Sequence, residues 1–117
     1  MSPDGDAGRQ RGPRDDGAFA LSITEQVGHL LVEARGDVDV ESVTAFNDGL
    51  REAVARSATD VWVDLAGVTF LGSEGIRTLL LVHDAAAAQG TRLTVTAASP
   101  IVRRVLALTE SDWLFGG

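Results

Sequence analysis

Asp60-Val61-Trp62-Val63-Asp64-Leu65-Ala66-Gly67-Val68-Thr69-Phe70-Leu71-Gly72-Ser73-Glu74-Gly75-Ile76 reads along the chain as strand, connection and helix. Its opening, Asp60 to Leu65, is almost continuously apolar, the pattern of a strand buried on both faces. Ala66 to Gly72 reads as a connecting loop with Val68 and Phe70 turned inward. From Ser73 onward Ile76, Leu79, Leu80 and His83 fall on one side of a helix that runs to about Gln89 and is stopped by Gly90. A buried strand leading straight into an amphipathic helix implies a second strand beyond it, in parallel.

That strand is Leu93, Val95 and Ala97, alternating with polar neighbours. Ser99 then caps a third helix with Pro100 in its first turn, where a missing N–H costs nothing. This helix carries Ile101, Val102, Val105, Leu106 and Leu108, and Trp113, Leu114 and Phe115 form an apolar end that should dock on the body. On the N-terminal side, Phe19, Leu21 and Ile23 alternate as a half-buried strand over Ala18 to Thr24. Gln26-Val27-Gly28 is a turn, and Leu30 to Ala34 returns as an antiparallel strand. Gly36-Asp37-Val38-Asp39 breaks that strand, and Glu41 or Ser42 opens the first helix. Val43, Phe46, Leu50 and Val54 mark the helix's buried stripe, over about Val40 to Arg56. The expected fold is a single α/β domain. Its mixed sheet has about four to five strands, with helices packed mainly on one face.

The 117 residues suit one domain, and 44% hydrophobic content permits a real core. Residues 1–17 are rich in Gly, Pro, Asp and Arg and read as a disordered tail, leaving 18–117 as the domain. The tail lacks the apolar segment of a signal peptide, and no stretch approaches a membrane span. A soluble, cytoplasmic protein is expected. There is no cysteine, so disulfides, thiolate catalysis and cysteine metal sites are excluded. Only two histidines, His29 and His83, could serve a metal or a catalytic base; no cofactor is indicated. His29, near the hairpin turn, should be exposed, and His83 should lie in the core or at an interface. The net charge of -7 opposes nucleic-acid and anionic-lipid binding and suits a basic protein partner.

Ser73, flanked by Gly72 and Gly75, stands at the helix N-terminus, where serine is a favoured cap. A phosphoryl group there would add about -1.5 to -2 charge at the positive end of the helix dipole. The local physics permits a phosphorylation switch and equally fits a plain cap. A hydrolase using Ser73 is the remaining reading, but Gly-x-Ser-x-Gly is absent because position 71 is Leu. No Walker-type phosphate loop occurs.

Three ordered segments resemble one known family. Asp64-Leu65-Ala66-Gly67-Val68-Thr69-Phe70-Leu71-Gly72-Ser73-Glu74-Gly75-Ile76 is similar to the signature of STAS domains, the anti-sigma factor antagonists. That signature has Asp-Leu, a spaced Val and Phe, then Asp-Ser-Ser/Ala/Thr-Gly-Leu/Ile. Gly36-Asp37-Val38-Asp39 resembles the family's Gly-Glu-Leu-Asp, and Ser99-Pro100-Ile101-Val102-Arg103-Arg104 its Ser-Pro-x-Val-x-Arg. The resemblance implies a non-enzymatic antagonist that binds an anti-sigma factor serine kinase and so releases a sigma factor. Phosphorylation at Ser73 would end that binding, and a PP2C-type phosphatase would reset it. The implied docking surface is Asp37, Asp39, Gly72, Ser73, Glu74, Gly75 and Arg77. Gly72 stands where the family carries an acidic residue, and Glu74 follows the serine with its side chain expected to point elsewhere. A STAS module serving as an unphosphorylated scaffold or transport accessory is the alternative within the family.

Overall fold

A computed structural model describes residues 18–57 and 59–116. The expected tail, and the last residue of the expected domain, lie outside them. The elements are β1 (Ala20–Gln26), β2 (His29–Val38), α1 (Val43–Arg56), β3 (Asp60–Leu71), α2 (Ser73–Ala88), β4 (Arg92–Ala98) and α3 (Pro100–Leu108). A single 3-10 turn, Asp112–Phe115, follows.

The sheet has four strands in the order β1-β2-β3-β4. The short turn at Val27 and Gly28 makes β1 and β2 an antiparallel hairpin, with Gly28 at φ 86, a left-handed conformation that glycine adopts at no steric cost. β3 and β4 then add in parallel through helical crossovers. α1 packs on α2 and β2, and α2 on β4. Val32, Val61, Val63 and Leu65 of the sheet join Phe46, Leu50, Leu79 and Val82 of the helices in one core, each 0% exposed. Burial of one such side chain is worth about 1.5–3 kcal/mol, so this layer supplies the main driving force.

β3 departs from its sequence reading in two ways. It is buried on one face only: Val61, Val63 and Leu65 point to the helices, while Trp62 is 41% exposed on the other side. A continuous apolar run here conceals an alternating strand, because an aromatic residue is tolerated on a half-wet face. The strand also does not end at Leu65. Residues 66–71, read as a loop, continue the pairing with β2 as far as Val38 opposite Leu71. Register shifts between Glu33 and Arg35 and between Gly36 and Asp37 absorb the irregularity, and such bulges bend a strand without ending it. β2 correspondingly runs on through Gly36, whose φ of 91 and closeness to the Ala18 carbonyl admit no side chain. Beyond the bulge Val68 and Leu71 face inward, but Phe70 is 49% exposed rather than buried.

α1 begins at Val43, three residues after the expected Val40, because Asp39 captures the intervening backbone. Its Oδ1 accepts from the N–H groups of Glu41 (3.0 Å) and Ser42 (3.1 Å). Ser99 caps α3 as expected, accepting from Val102 N at 3.4 Å while its hydroxyl donates to Val68 O at 2.6 Å. The apolar end docks as expected through Leu114, and Trp113 meets His83 edge-on with centroids 4.8 Å apart. His29 does not stand free as expected: its ring stacks on Trp62 at 3.6 Å.

Candidate functional site

Because β4 pairs with β3 only as far as Leu65 opposite Ala98, the last six residues of β3 overhang it. That overhang carries the β3–α2 turn away from the sheet's middle. Val38 O accepts from Gly72 N at 3.0 Å and ties the turn to the end of β2. Asp37, Val38 and Asp39 therefore lie beside residues 70–72. Asp37 also accepts from the Thr69 hydroxyl. The structure thus brings the Gly36-to-Asp39 segment and the Ser73 turn side by side.

Ser73 is not the N-cap. Gly72 takes that position, with extended backbone (φ -82, ψ 176), and its carbonyl accepts from Gly75 N and Ile76 N. Ser73 is the first helical residue and its side chain is exposed. Its N–H lies in the first turn, where backbone donors have no intrahelical acceptor. The Ser73 hydroxyl therefore plays no part in holding the helix start. Its one side-chain partner among the described residues is Glu74, whose Oε1 accepts at 3.4 Å. Glu74 thus turns back toward the serine, contrary to expectation.

Gly75 is buried beneath the turn. A Cβ there would come within 2.6 Å of Leu71 Cδ1 and 2.8 Å of Val38 Cγ1, so glycine is what lets α2 start this close to the strand ends. Arg77 is exposed one helical turn after Ser73. Asp39 serves the fold, since its carboxylate caps the approach to α1. Its acidity is raised, the carboxyl pKa falling below the ordinary value chiefly through the Ser42 N–H, with further help from the Ser42 hydroxyl and Glu41 N–H. Asp37, Asp39, Glu41 and Ser42 also line a shallow hollow of about 370 Å³.

Sequence reasoning missed two apolar residues at this end. Val40, in the turn before α1, is 69% exposed, and Phe70 leans toward Gly72, its Cε2 3.3 Å from where a Cβ would be. The bulge that turns Phe70 outward leaves no trace in the hydrophobic pattern. Neither histidine joins Ser73: His29 stacks on Trp62, and His83 contacts Asp84 and Trp113. Among the described residues no cluster could hold a metal ion, and no helix is long and apolar enough to cross a membrane.

A family model described as Mlab, STAS domain matches residues 21–115. The anti-sigma-F factor antagonist RsfB of Mycobacterium tuberculosis is 26% identical over 98 residues, covering 84% of this chain and 80% of its own. A STAS-domain containing protein of Pseudomonas aeruginosa is 31% identical over 86 residues, covering 74% and 84%. The crystal structure of an anti-sigma factor antagonist from Mycobacterium paratuberculosis superposes with a TM-score of 0.76 at 26% identity, covering 86% of each chain. The four-stranded mixed sheet and these matches together place the chain in the STAS domain family, whose members similar to it include anti-sigma factor antagonists.

Proposed function

We propose that this domain is a partner-switching antagonist: it binds an anti-sigma factor with serine-kinase activity, releases the sigma factor, and is turned off by phosphorylation at Ser73. The observation that carries the reading is the exposed Ser73 hydroxyl at the first position of α2, on a turn projected by the β3 overhang and free of structural duty. The named relatives that are anti-sigma factor antagonists support it. The domain acts as binder and substrate, and the chemistry belongs to the kinase. In the transfer, Ser73 Oγ bonds to the γ-phosphorus of ATP as the bond to the bridging oxygen of the departing ADP breaks. The hydroxyl proton passes to a base of the kinase. A PP2C-type phosphatase hydrolyses the phosphoserine and resets the domain.

The binding surface is the end formed by Asp37, Asp39, Gly72, Ser73, Glu74, Gly75 and Arg77. Phe70 and Val40 provide apolar contact within it, and the surrounding carboxylates favour a basic partner face. A phosphoryl group at Ser73 would bring bulk and about -1.5 to -2 charge into the apolar contact beside Phe70, where its desolvation and the repulsion from Glu74 oppose docking, while the helix dipole keeps the phosphorylated turn folded. The test is incubation with candidate serine-kinase anti-sigma factors and ATP, followed by mass spectrometry. Phosphate on Ser73 is expected, with Ser73→Asp weakening anti-sigma binding and Ser73→Ala retaining it. Absence of phosphate with every kinase that binds the domain would refute the switch and leave an unphosphorylated scaffold.

A further inference from the structure

We infer that Glu74 is the acidic recognition residue of the Ser73 site, its carboxylate lying against the serine hydroxyl and beside position 72. This rests on the reading of Ser73 as phosphoacceptor. It adds which charge a kinase or partner meets there. Two distances carry it. Glu74 Oε1 lies 3.4 Å from Ser73 Oγ, and the same oxygen lies 3.5 Å from the point where a Cβ on Gly72 would be. The carboxylate has folded back across the helix start instead of extending into solvent. It lies beside both the serine hydroxyl, which stays exposed, and the flank of Gly72.

Glycine at 72 is not dictated by backbone conformation, since φ -82 is open to any residue. Space does not dictate it either: an added Cβ would stand 3.3 Å from the Phe70 ring edge, which must give slightly, and at an ordinary 3.5 Å from the Glu74 oxygen. Phe70 and Glu74 thus border the flank on which a side chain at this position would stand. The family signature places its acid before the serine; here the acid follows it in sequence and reaches back to the same flank. A carboxylate at the second helical position is also stabilised by the helix dipole. No cationic side chain pairs with Glu74 among the described residues, and the residue is exposed, so its charge is not neutralised within the domain.

The arrangement also shapes the switch. In the unmodified protein Glu74 accepts the serine hydroxyl's hydrogen bond. Phosphorylation removes that donor and sets like charges side by side, so Glu74 must swing away. The phosphorylated surface then differs in the position of a side chain as well as in charge.

The experiment is a charge transposition in the full chain: wild type, Glu74→Gln, and Gly72→Asp combined with Glu74→Gln. Folding of each variant is checked by urea denaturation; the exposed Phe70 ring has room to yield to the side chain added at position 72. With a kinase that phosphorylates wild type, kcat/KM for Ser73 should fall at least tenfold in Glu74→Gln and recover to within threefold in the double variant. Equal rates for wild type and Glu74→Gln, or no recovery on transposition, would overturn the inference while leaving the switch intact. Failure of every kinase on wild type would instead sink the parent reading. A second measurement needs no kinase: the Ser73 amide resonance should shift on acid titration in wild type, lose that component in Glu74→Gln and regain it in the double variant. A titration identical in wild type and Glu74→Gln would place the carboxylate away from Ser73 and end the proposal.

Discussion

Replacing Gly75 by alanine sets two effects of known size against each other. Alanine inside a helix is favoured over glycine by about 1 kcal/mol, partly through a less flexible unfolded chain. Against this, the new methyl would sit 2.6 Å from Leu71 Cδ1 and 2.8 Å from Val38 Cγ1. Neither neighbour can swing into solvent, since Leu71 is 3% and Val38 0% exposed. Overpacking of a rigid core costs about 1–3 kcal/mol, and two simultaneous short contacts put this site at the upper end. The net expectation is a loss of about 1–2 kcal/mol, with α2 displaced from the Val38–Leu71 end of the strand pair. In urea, with a slope of about 1–3 kcal/mol/M for a domain of this size, the midpoint should fall by roughly 0.5–1 M. A double-mutant cycle isolates the cause. Leu71→Val removes the closest methyl, so it should destabilise less in the Gly75→Ala background than in wild type. A Gly75→Ala midpoint at or above wild type, or strictly additive variants, would show that helix propensity wins and that the turn is not pinned by this contact.

Other substitutions separate folding from function. Asp39→Asn should leave a domain whose stability depends less on acid. The native carboxyl is held below its ordinary value, so its contribution is present above the unfolded pKa of about 3.9 and lost as pH falls through the lower folded value. Wild type and variant should converge at the acid end of a denaturation series, and parallel curves would refute the capping role. Ser99→Ala removes both the α3 cap and the bond to Val68 O, and should cost about 1–2 kcal/mol by chemical denaturation while anti-sigma binding is unchanged. Phe70→Ser should do the opposite: stability within about 0.5 kcal/mol of wild type, as for surface positions, but anti-sigma affinity at least tenfold weaker by calorimetry. Unchanged affinity would remove Phe70 from the binding surface.

Much of the fold is legible because its elements obey simple periods. Phe46, Leu50 and Val54 in α1, Leu79 in α2, and Val102 and Leu106 in α3 stand out as core by their spacing and are buried. Strands separated by helices imply the parallel crossovers, and a short turn implies the hairpin. What is not legible depends on pairing between distant residues. Residues 66–71 carry glycine, threonine and a broken apolar period, so they read locally as a loop; β2 makes them a strand. Trp62 looks like core because a lone aromatic on an open sheet face has the same local signature as one inside. His29 reads as exposed because its stacking partner is 33 residues away. The position of Ser73 follows from strand and helix signals, but its rank as first helical residue rather than cap does not. That single step is decided by Gly72, whose extended backbone and carbonyl do the capping.

That step bears directly on whether a phosphate could be carried here. Four other described serines have hydroxyls committed to backbone: Ser99 donates to Val68 O at 2.6 Å, Ser42 to Asp37 O at 2.6 Å, Ser57 to Asp60 O at 2.9 Å, and Ser111 to Thr109 O at 3.2 Å. Esterifying any of them would remove a donor and leave its acceptor unpaired in partly buried surroundings, at a cost of about 1–3 kcal/mol each. Ser73 has no such duty, because Gly72 caps the helix in its place and Glu74 is exposed and can turn to solvent. Had Ser73 been the cap, modification would have taken away an acceptor that holds α2. A domain with phosphoserine installed at position 73 should therefore unfold in urea within about 0.5 kcal/mol of the unmodified form, the range of an ordinary surface change. A loss of about 2 kcal/mol or more, beyond that surface range, would mean that the hydroxyl supports the fold after all, and that phosphorylation would act by loosening the domain rather than by recharging its surface.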